Sequence, residues 1–202
     1  MTTPDFFDVV LGQRACRAFT DEDVPDDDLE RMLEAAVHAP SAENAQPWVF
    51  VVVRDPHRRA AVADLTRRLW EGAARAHAEP RLDRRLLEDV DRATAAGFGG
   101  APVLVVAAGD TRGGTPRRAL PSSVLPAVQN LLLAASALGY GSVLTTLATA
   151  GAHELRSLLE LPEGVEPLAV VPIGRPARPL GRARRQPAVT KAHRERYGRP
   201  FG

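Results

Sequence analysis

The chain has 202 residues, 45% of them hydrophobic, and 26 Lys and Arg against 25 Asp and Glu give a net charge of +1. That length and apolar content suit one ordinary-sized core and exclude wholesale disorder, while the near-neutral balance excludes a polyanion binder that works through overall charge. A single cysteine, Cys16, excludes an intrachain disulfide and a cysteine-based metal site.

Asp5 and Asp8 stand where a secretory signal carries positive charge, so no signal peptide is read and a cytoplasmic location is expected. Phe6, Phe7, Val9 and Val10 predict a short helix running into "GQRACRAF". "VPDDDLERMLEAAVH" predicts a second helix, with Leu29, Met32, Leu33, Ala36 and Val37 on one face. Asp27 and Glu30 have the spacing of a capping box, and the early acids suit the positive helix end. "HAPSAENAQPW" (38–48) follows; Pro40 pushes Ala39 out of helical geometry and stops the helix. "WVFVVV" (48–53) predicts a strand covered on both faces, because it is apolar at every position.

Asp55–Pro56 opens a helix through Trp70, and Arg81–Ala96 predicts a charged helix with Leu spacing. "APVLVVAA" (101–108) predicts a second buried strand, and "GDTRGGTP" a flexible loop. Ser122–Leu138 is apolar nearly all round and is expected at the centre of the fold. Pro126, Gln129, Asn130 and Ser136 break the apolar stretch around it, which is too short and too polar to span a bilayer. Gly139 and Gly141 end the helix. "SVLTTL" (142–147) predicts a third strand, "AHELRSLLEL" a short helix, and "EPLAVVPIG" (166–174) a fourth strand. A Pro- and Arg-rich tail closes the chain. No repeat or linker divides it, so a single layered α/β or α+β domain over 1–202 is expected, with helices on both faces of a sheet.

Nucleotide loops do not survive inspection. "GFGGAP" lacks the last Gly of a dinucleotide fingerprint and precedes a strand, and "GDTRGGTP" lacks the Lys of a phosphate loop. His38, His57, His77, His153 and His193 are scattered, with no metal-ligand spacing. Cys16 reads as a buried small side chain, since no histidine is placed to activate it. The arginines carry more. Arg14 with Arg17, and Arg184 with Arg185, form two pairs able to grip a phosphate through charge-assisted forks, or to lie on a solvated face.

Four stretches in order resemble the FMN-dependent nitroreductase family: "QRACRAFTDEDVP" (13–25), "APSAENAQPWVFVVV" (39–53), "AVQNLLLAASALGYGSVLTTL" (127–147), and "LPEGVEPLAVVPIG" (161–174) followed by "RRQP" (184–187). The second is the most specific, as Pro-Ser-x-x-Asn-x-Gln-Pro-Trp leads directly into a strand. The resemblance implies an α+β, three-layer fold with a mixed central sheet flanked by helices. It also implies an intertwined homodimer with FMN at the interface, and residues 175–202 as an arm wrapping the partner.

By the same resemblance Arg14, Ala15 and Arg17 meet the FMN phosphate and the polar side of the flavin. Pro40, Ser41, Ala42 and Asn44 line it from the partner chain. Leu144, Thr145, Thr146 and Leu147 run beside the ring, with the Thr146 backbone N–H near N5, and Arg184 and Arg185 close on the phosphate. Gln13 and Ala15 stand where the family often has Arg and Ser, which removes one guanidinium and one hydroxyl from that cradle. No residue is assigned as catalytic, because FMN carries the chemistry.

The implied activity is an NAD(P)H-dependent FMN oxidoreductase. Hydride passes from NADPH or NADH through flavin N5 to a nitroaromatic, quinone or similar acceptor by a ping-pong mechanism. The same fold also serves azoline dehydrogenation, flavin fragmentation and dehalogenation. The rival from another class is a nucleic-acid-binding module using the arginine-rich tail, but no reading motif accompanies it. No nucleic acid, membrane or metal partner is therefore expected. The substrate pocket is expected from Leu65–Gly100 and the loop at 110–120. Trp70 and Phe98 can stack on an aromatic ligand there, but each fits core packing better.

Overall fold

Strand alternation decides the layering. In β2 (Val103–Asp110), Val103, Val105 and Ala107 face one way and Leu104 and Val106 the other, and all five are at most 1% exposed. A strand buried on both faces needs a layer of helices on each. The computed structural model, which describes residues 4–201, has that arrangement. On one face lie α2 (Asp26–Val37) and α6 (Leu120–Ala137), which share a core with Val103, Val105 and Ala107. On the other lie α3 (Pro56–Leu69) and α7 (Ala152–Leu158), packed with Leu104 and Val106.

The sheet order is β1-β2-β4-β3, with β1 at Trp48–Val53, β3 at Gly141–Ser142 and β4 at Val165–Gly174. Every strand ladder is antiparallel. The parallel component expected of a mixed sheet is an isolated bridge between Ala15 and Ser142. The α+β class stands. Because β1 is an edge strand, Trp48–Val52 are only half-buried, so the double covering expected of it is incomplete.

Three local expectations need correction. The strand expected over 142–147 ends at Ser142, and only Thr145 rejoins β4, exchanging backbone hydrogen bonds of 3.0 and 2.8 Å with Val170. Continuing the register would set Val143 against Pro172, which has no N–H to give. The capping box at Asp27 and Glu30 does not form. Helix α2 starts at Asp26 behind Pro25, whose ψ of 146° keeps it outside the helix as the N-cap residue and whose carbonyl accepts from Asp28 and Leu29. The loop expected from residue 109 begins later, because β2 continues through Asp110.

Helix α6 and the turn before it (Arg117–Ala137) are long and apolar enough to cross a membrane by composition. In the fold, Leu120, Val124, Ala127, Val128, Leu131, Leu132 and Ala135 are core residues of this helix. At the N-terminus, α1 (Phe6–Gly12) lies along α6 with Phe6, Phe7 and Leu11 exposed.

Helix α3 does not stop at Trp70. A π-helical turn, Trp70–Ala74, joins it to the short α4 (Arg75–Ala78), and α5 (Arg84–Ala95) folds back beside it. Trp70 is buried with Ala78 and Leu87, as core packing requires, and its indole Nε1 donates to Asp91 at 2.7 Å. The Arg75 fork closes on the same carboxylate at 3.0 and 3.1 Å.

The Arg75 guanidinium, with the Trp70 N–H, holds the Asp91 carboxyl below the usual carboxylate range. A depressed folded-state pKa contributes stability above the unfolded pKa, roughly 3.9, and loses it as pH falls through the folded value. Asp91→Asn is therefore expected to lower the urea midpoint at pH 7, with the gap to wild type closing below about pH 4. Urea titrations of both proteins from pH 7 to pH 2.5 measure it.

Candidate functional site

The Arg14–Arg17 segment is fixed by its backbone. The Cys16 N–H donates to the Ser142 carbonyl at 3.0 Å beside the Ala15–Ser142 bridge. Cys16 is 2% exposed, its thiol donates to the Ala18 carbonyl at 3.3 Å, and burial pushes that thiol up. It fills the space left by Gly141, where a Cβ would lie 2.6 Å from its Sγ, so Cys16 is the packing residue expected.

This backbone presents Arg14 outward, where Nη1 donates to the Gly181 carbonyl at 3.2 Å, and leaves Arg17 half-buried. Burial lowers the Arg17 pKa, opposed by the nearby Asp89 carboxylate. Most other arginines of the folded body have carboxylate partners: Arg54 with Asp23 and Asp26, Arg58 with Glu160, Arg68 with Asp64 and Glu154. Among the described residues, Arg14, Arg17, Arg184 and Arg185 have no carboxylate oxygen within 4.0 Å. Unpaired guanidiniums are the chemistry that takes an anion. Arg14 and Arg17 flank Cys16 in the chain, and their charges, with that of Arg178, oppose the effect of burial on its thiol. Arg184 and Arg185 are exposed on the arm, joined to each other by an Arg185 Nη1 to Arg184 carbonyl bond of 3.1 Å, and nothing ties them to Arg14 or Arg17.

Beyond β3, the four expected flavin neighbours divide. Leu144 turns into the α6-side core and Leu147 into the Trp70 cluster. Thr145 is held by Val170. Thr146 is exposed, and its backbone N–H has no partner among the described residues. Its carbonyl accepts from both the Thr149 N–H and hydroxyl, at 3.1 and 2.7 Å.

The loop after α2 spends much of its polar capacity on itself. The Ser41 hydroxyl accepts from the Gln46 N–H at 3.0 Å, and Gln46 Nε2 donates to Asn44 Oδ1 at 3.1 Å. Three non-glycine residues adopt positive φ: Glu43 at 54°, Asn44 at 54° and Gln46 at 49°. Such conformations cost about 1 kcal/mol or more each and concentrate at ligand sites. Pro40, Ala42 and Asn44 are exposed on this loop. The Ala42 N–H donates to Ser123 Oγ at 3.2 Å, which pins the loop to the start of α6. Ala15 lies by β3, beyond the other end of that 18-residue helix, about 27 Å long. No hydrogen bond among the described residues joins Pro40–Asn44 to Arg14, Arg17 or Leu144–Leu147. One chain thus brings together Arg14, Ala15 and Arg17 near β3, and holds Pro40, Ser41, Ala42 and Asn44 apart.

Sequence reasoning missed Asp89 and Gly181. Asp89 sits in a charged amphipathic helix, where one acid among many gives no signal, and Gly181 contributes only a carbonyl. No group of His, Cys, Asp and Glu able to hold a metal occurs among the described residues. The clefts at Val51–Arg58 with Leu159, about 240 Å³, and at His153–Leu161, about 310 Å³, contain none of the expected residues.

Comparison with known proteins gives a consistent picture. The family model described as "Nitroreductase family" matches residues 10–175. The chain is 31% identical over 175 residues to a protein of Archaeoglobus fulgidus provisionally named an NADH dehydrogenase/NAD(P)H nitroreductase, covering 83% of each chain. It is 29% identical to the Bacillus subtilis FMN reductase [NAD(P)H], covering 93% of this chain and 72% of that one. A solved structure of a provisionally named nitroreductase from Desulfovibrio desulfuricans, in complex with FMN, superposes with a TM-score of 0.75 at 28% identity. That match covers 97% of this chain and 99% of the other.

The geometry around Arg17 yields a prediction. Gly99 has φ of +69°, and a Cβ there would lie 2.1 Å from the Arg17 carbonyl oxygen. Gly99→Ala is expected to destabilise the fold by about 2 kcal/mol or more. Gly72→Ala, where a Cβ meets nothing within 4 Å, is expected to be neutral or mildly stabilising. Paired denaturant titrations separate the two.

Proposed function

The chain belongs to the nitroreductase family, and from that premise we propose that it is an FMN-dependent NAD(P)H oxidoreductase reducing a small electron-poor acceptor such as a nitroaromatic or quinone. The observation that carries this reading is the pair Arg14 and Arg17 beside β3, without a carboxylate oxygen within 4.0 Å among the described residues, next to the strip that exposes the Thr146 N–H. The donor set fits FMN. Arg14, with Arg184 and Arg185 from the arm, supplies fork donors for a phosphate dianion. Arg17 faces the polar edge of the ring, and the Thr146 N–H is a donor for N5. These arginines offset the absence of Arg and Ser at Gln13 and Ala15.

Bound FMN would supply the redox chemistry, as acceptor of hydride from NAD(P)H and source of electrons for the second substrate. The chain holds the phosphate, orients the ring against the Leu144–Leu147 strip and presents one free backbone donor at the reacting edge. No side chain is required as acid or base.

Pro40, Ser41, Ala42 and Asn44 come to that ring from a second copy of the chain. Three features support a homodimer: the loop is separated from Arg14 and Arg17 within one chain, α1 exposes Phe6 at 65% and Phe7 at 69%, and β1 has an open edge. Contiguous exposed apolar surface of this kind marks an interface. The arm at 175–201, with Tyr197 91% exposed and Phe201 57%, wraps the partner.

The protein purified with FMN is expected to be yellow, and initial rates at varied NAD(P)H and acceptor are expected to give parallel double-reciprocal lines. A colourless protein that takes up no flavin rejects the reading. The shared site has its own test. Arg14→Ala/Arg17→Ala and Ser41→Ala/Asn44→Ala are each expected to be nearly inactive alone. Refolded together in equal amounts they should regain about a quarter of wild-type activity, because half the dimers are mixed and each mixed dimer keeps one intact site. No recovery on mixing rejects a site built from two chains.

A further inference from the structure

We propose that Arg175, at the root of the C-terminal arm, is a positioning residue for the phosphate end of the flavin site: it locks the arm root beside the segment that carries Arg14, and so fixes the orientation in which Arg14 meets the phosphate. The inference rests on the FMN reading above and adds to it a residue that acts through another.

Arg175 is the first residue after β4, and its side chain makes three different contacts. Nη1 donates to the Leu138 carbonyl at 3.1 Å, the guanidinium carbon lies 4.0 Å from the centre of the Tyr140 ring, and Nε donates to Glu22 at 3.1 Å. Leu138 is the C-cap of α6, where the last carbonyls lack partners within the helix and the helix dipole favours a cation. The buried Tyr140 ring offers its face to the charge, and its hydroxyl donates to Asp28 at 2.7 Å, so that face is held in place from α2. Glu22 lies on the segment that follows Arg17. A planar fork can donate from two edges while it stacks, which a lysine ammonium cannot do.

The main chain of Arg175 completes the lock. Its carbonyl accepts from the Thr20 N–H at 2.9 Å, and the Ala177 N–H donates to the Ala18 carbonyl at 3.0 Å, on either side of the antiparallel Phe19–Pro176 bridge. In that register neither Phe19 nor Pro176 has to give an N–H across the pair. The proline is therefore tolerated, and the Phe19 N–H goes to the Gly99 carbonyl at 2.9 Å. Antiparallel pairing runs the arm back along the segment it has joined. Gly181 lies as far beyond Pro176 as Arg14 lies before Phe19, and there Arg14 Nη1 donates to the Gly181 carbonyl at 3.2 Å. The same course brings Arg182 to Asp8 at 3.0 Å. Arg14 is exposed, and the bond to Gly181 is the one hydrogen bond of its side chain among the described residues. Where the arm root lies thus decides how Arg14 points. One donor is spent on the arm, and the rest of the fork is left for a phosphate. Orienting so long a side chain in advance lowers the entropy lost when it grips an anion.

Riboflavin, which is FMN without the phosphate, separates this role from a general loosening of the fold, because the ratio of the two affinities reads the phosphate end alone. Full-length protein stripped of flavin is titrated with each. Arg175→Ala should lower the preference for FMN over riboflavin about tenfold, with riboflavin affinity kept within about twofold. Arg175→Lys, which keeps the charge at the helix end but not the fork, should lower the preference about threefold. Arg14→Ala should lower it at least as far as Arg175→Ala, and adding Arg175→Ala should then produce no further fall, because both changes remove one contact. An unchanged preference in Arg175→Ala overturns the proposal, as does an equal loss of both flavins or a full further fall on the Arg14→Ala background. If Arg175→Ala does not fold, a lowered preference in Arg175→Lys with no further fall on the Arg14→Ala background supports the proposal, and any other pair of results overturns it. A wild-type protein that binds no FMN, or binds it no more tightly than riboflavin, rejects the preceding reading and this inference with it, and that measurement comes first.

Discussion

The fold hangs on the β2–β4 ladder. Val103 to Asp110 pairs with Val165 to Ile173, both strands are buried on both faces, and alternation sends neighbouring side chains into two separate cores. Because a one-residue slip would exchange the faces of every side chain, the register is strongly specified. What surrounds the candidate site is positioned from this ladder. Thr145 is pinned to Val170, Gly141 and Ser142 to the end of β4, and the Arg14–Arg17 segment to Ser142. The loop at 40–46 is pinned through Pro47 to Asp110 at the end of β2 and through Ser123 to α6.

Electrostatics then separates structural cations from available ones. Exposed pairs such as Arg67 with Asp64 contribute little to stability and mainly satisfy their own charges. Arg14 and Arg17 have no carboxylate in contact among the described residues, and Arg17 bears some desolvation cost. An uncompensated, partly buried cation is unfavourable for an isolated chain and useful to a chain that receives an anion. The left-handed residues of the 40–46 loop follow the same logic. Their strain is held by a closed set of hydrogen bonds, so the loop is already ordered before any ligand or partner arrives.

Much of this was legible in the sequence, for local reasons. The buried strands are continuous apolar runs, the helix at 120–137 is apolar nearly all round, and Pro40 stops α2 where expected. Buried Trp70 and Phe98 followed from the general preference of large aromatic side chains for core packing. The failures are equally physical. "SVLTTL" has strand propensity throughout, but its register partner is Pro172, and a missing N–H on another strand is invisible locally. The acids around Asp27 suggested a cap, but the helix already starts at Asp26 with Pro25 as its N-cap residue, so Asp27 is inside the first turn. The division of the candidate residues into two groups is a property of the length of α6. Asp89 was hidden because charge on a helix surface acquires meaning only from what the tertiary fold sets opposite it.

The π-helical turn at Trp70–Ala74 has a consequence for chain length. Such a turn carries one residue more than an α-helix needs, and each α-helical residue advances the face by about 100°. The wider turn absorbs the extra residue, so everything that follows keeps the face it would have in an uninterrupted helix one residue shorter. With it, Arg75 and the indole of Trp70 converge on Asp91. Winding the same five residues as a regular α-helix would turn Arg75 away by about a quarter of a revolution, with every side chain of the cluster still encoded. The local winding of this segment, as much as residue identity, sets what packs beside Leu147.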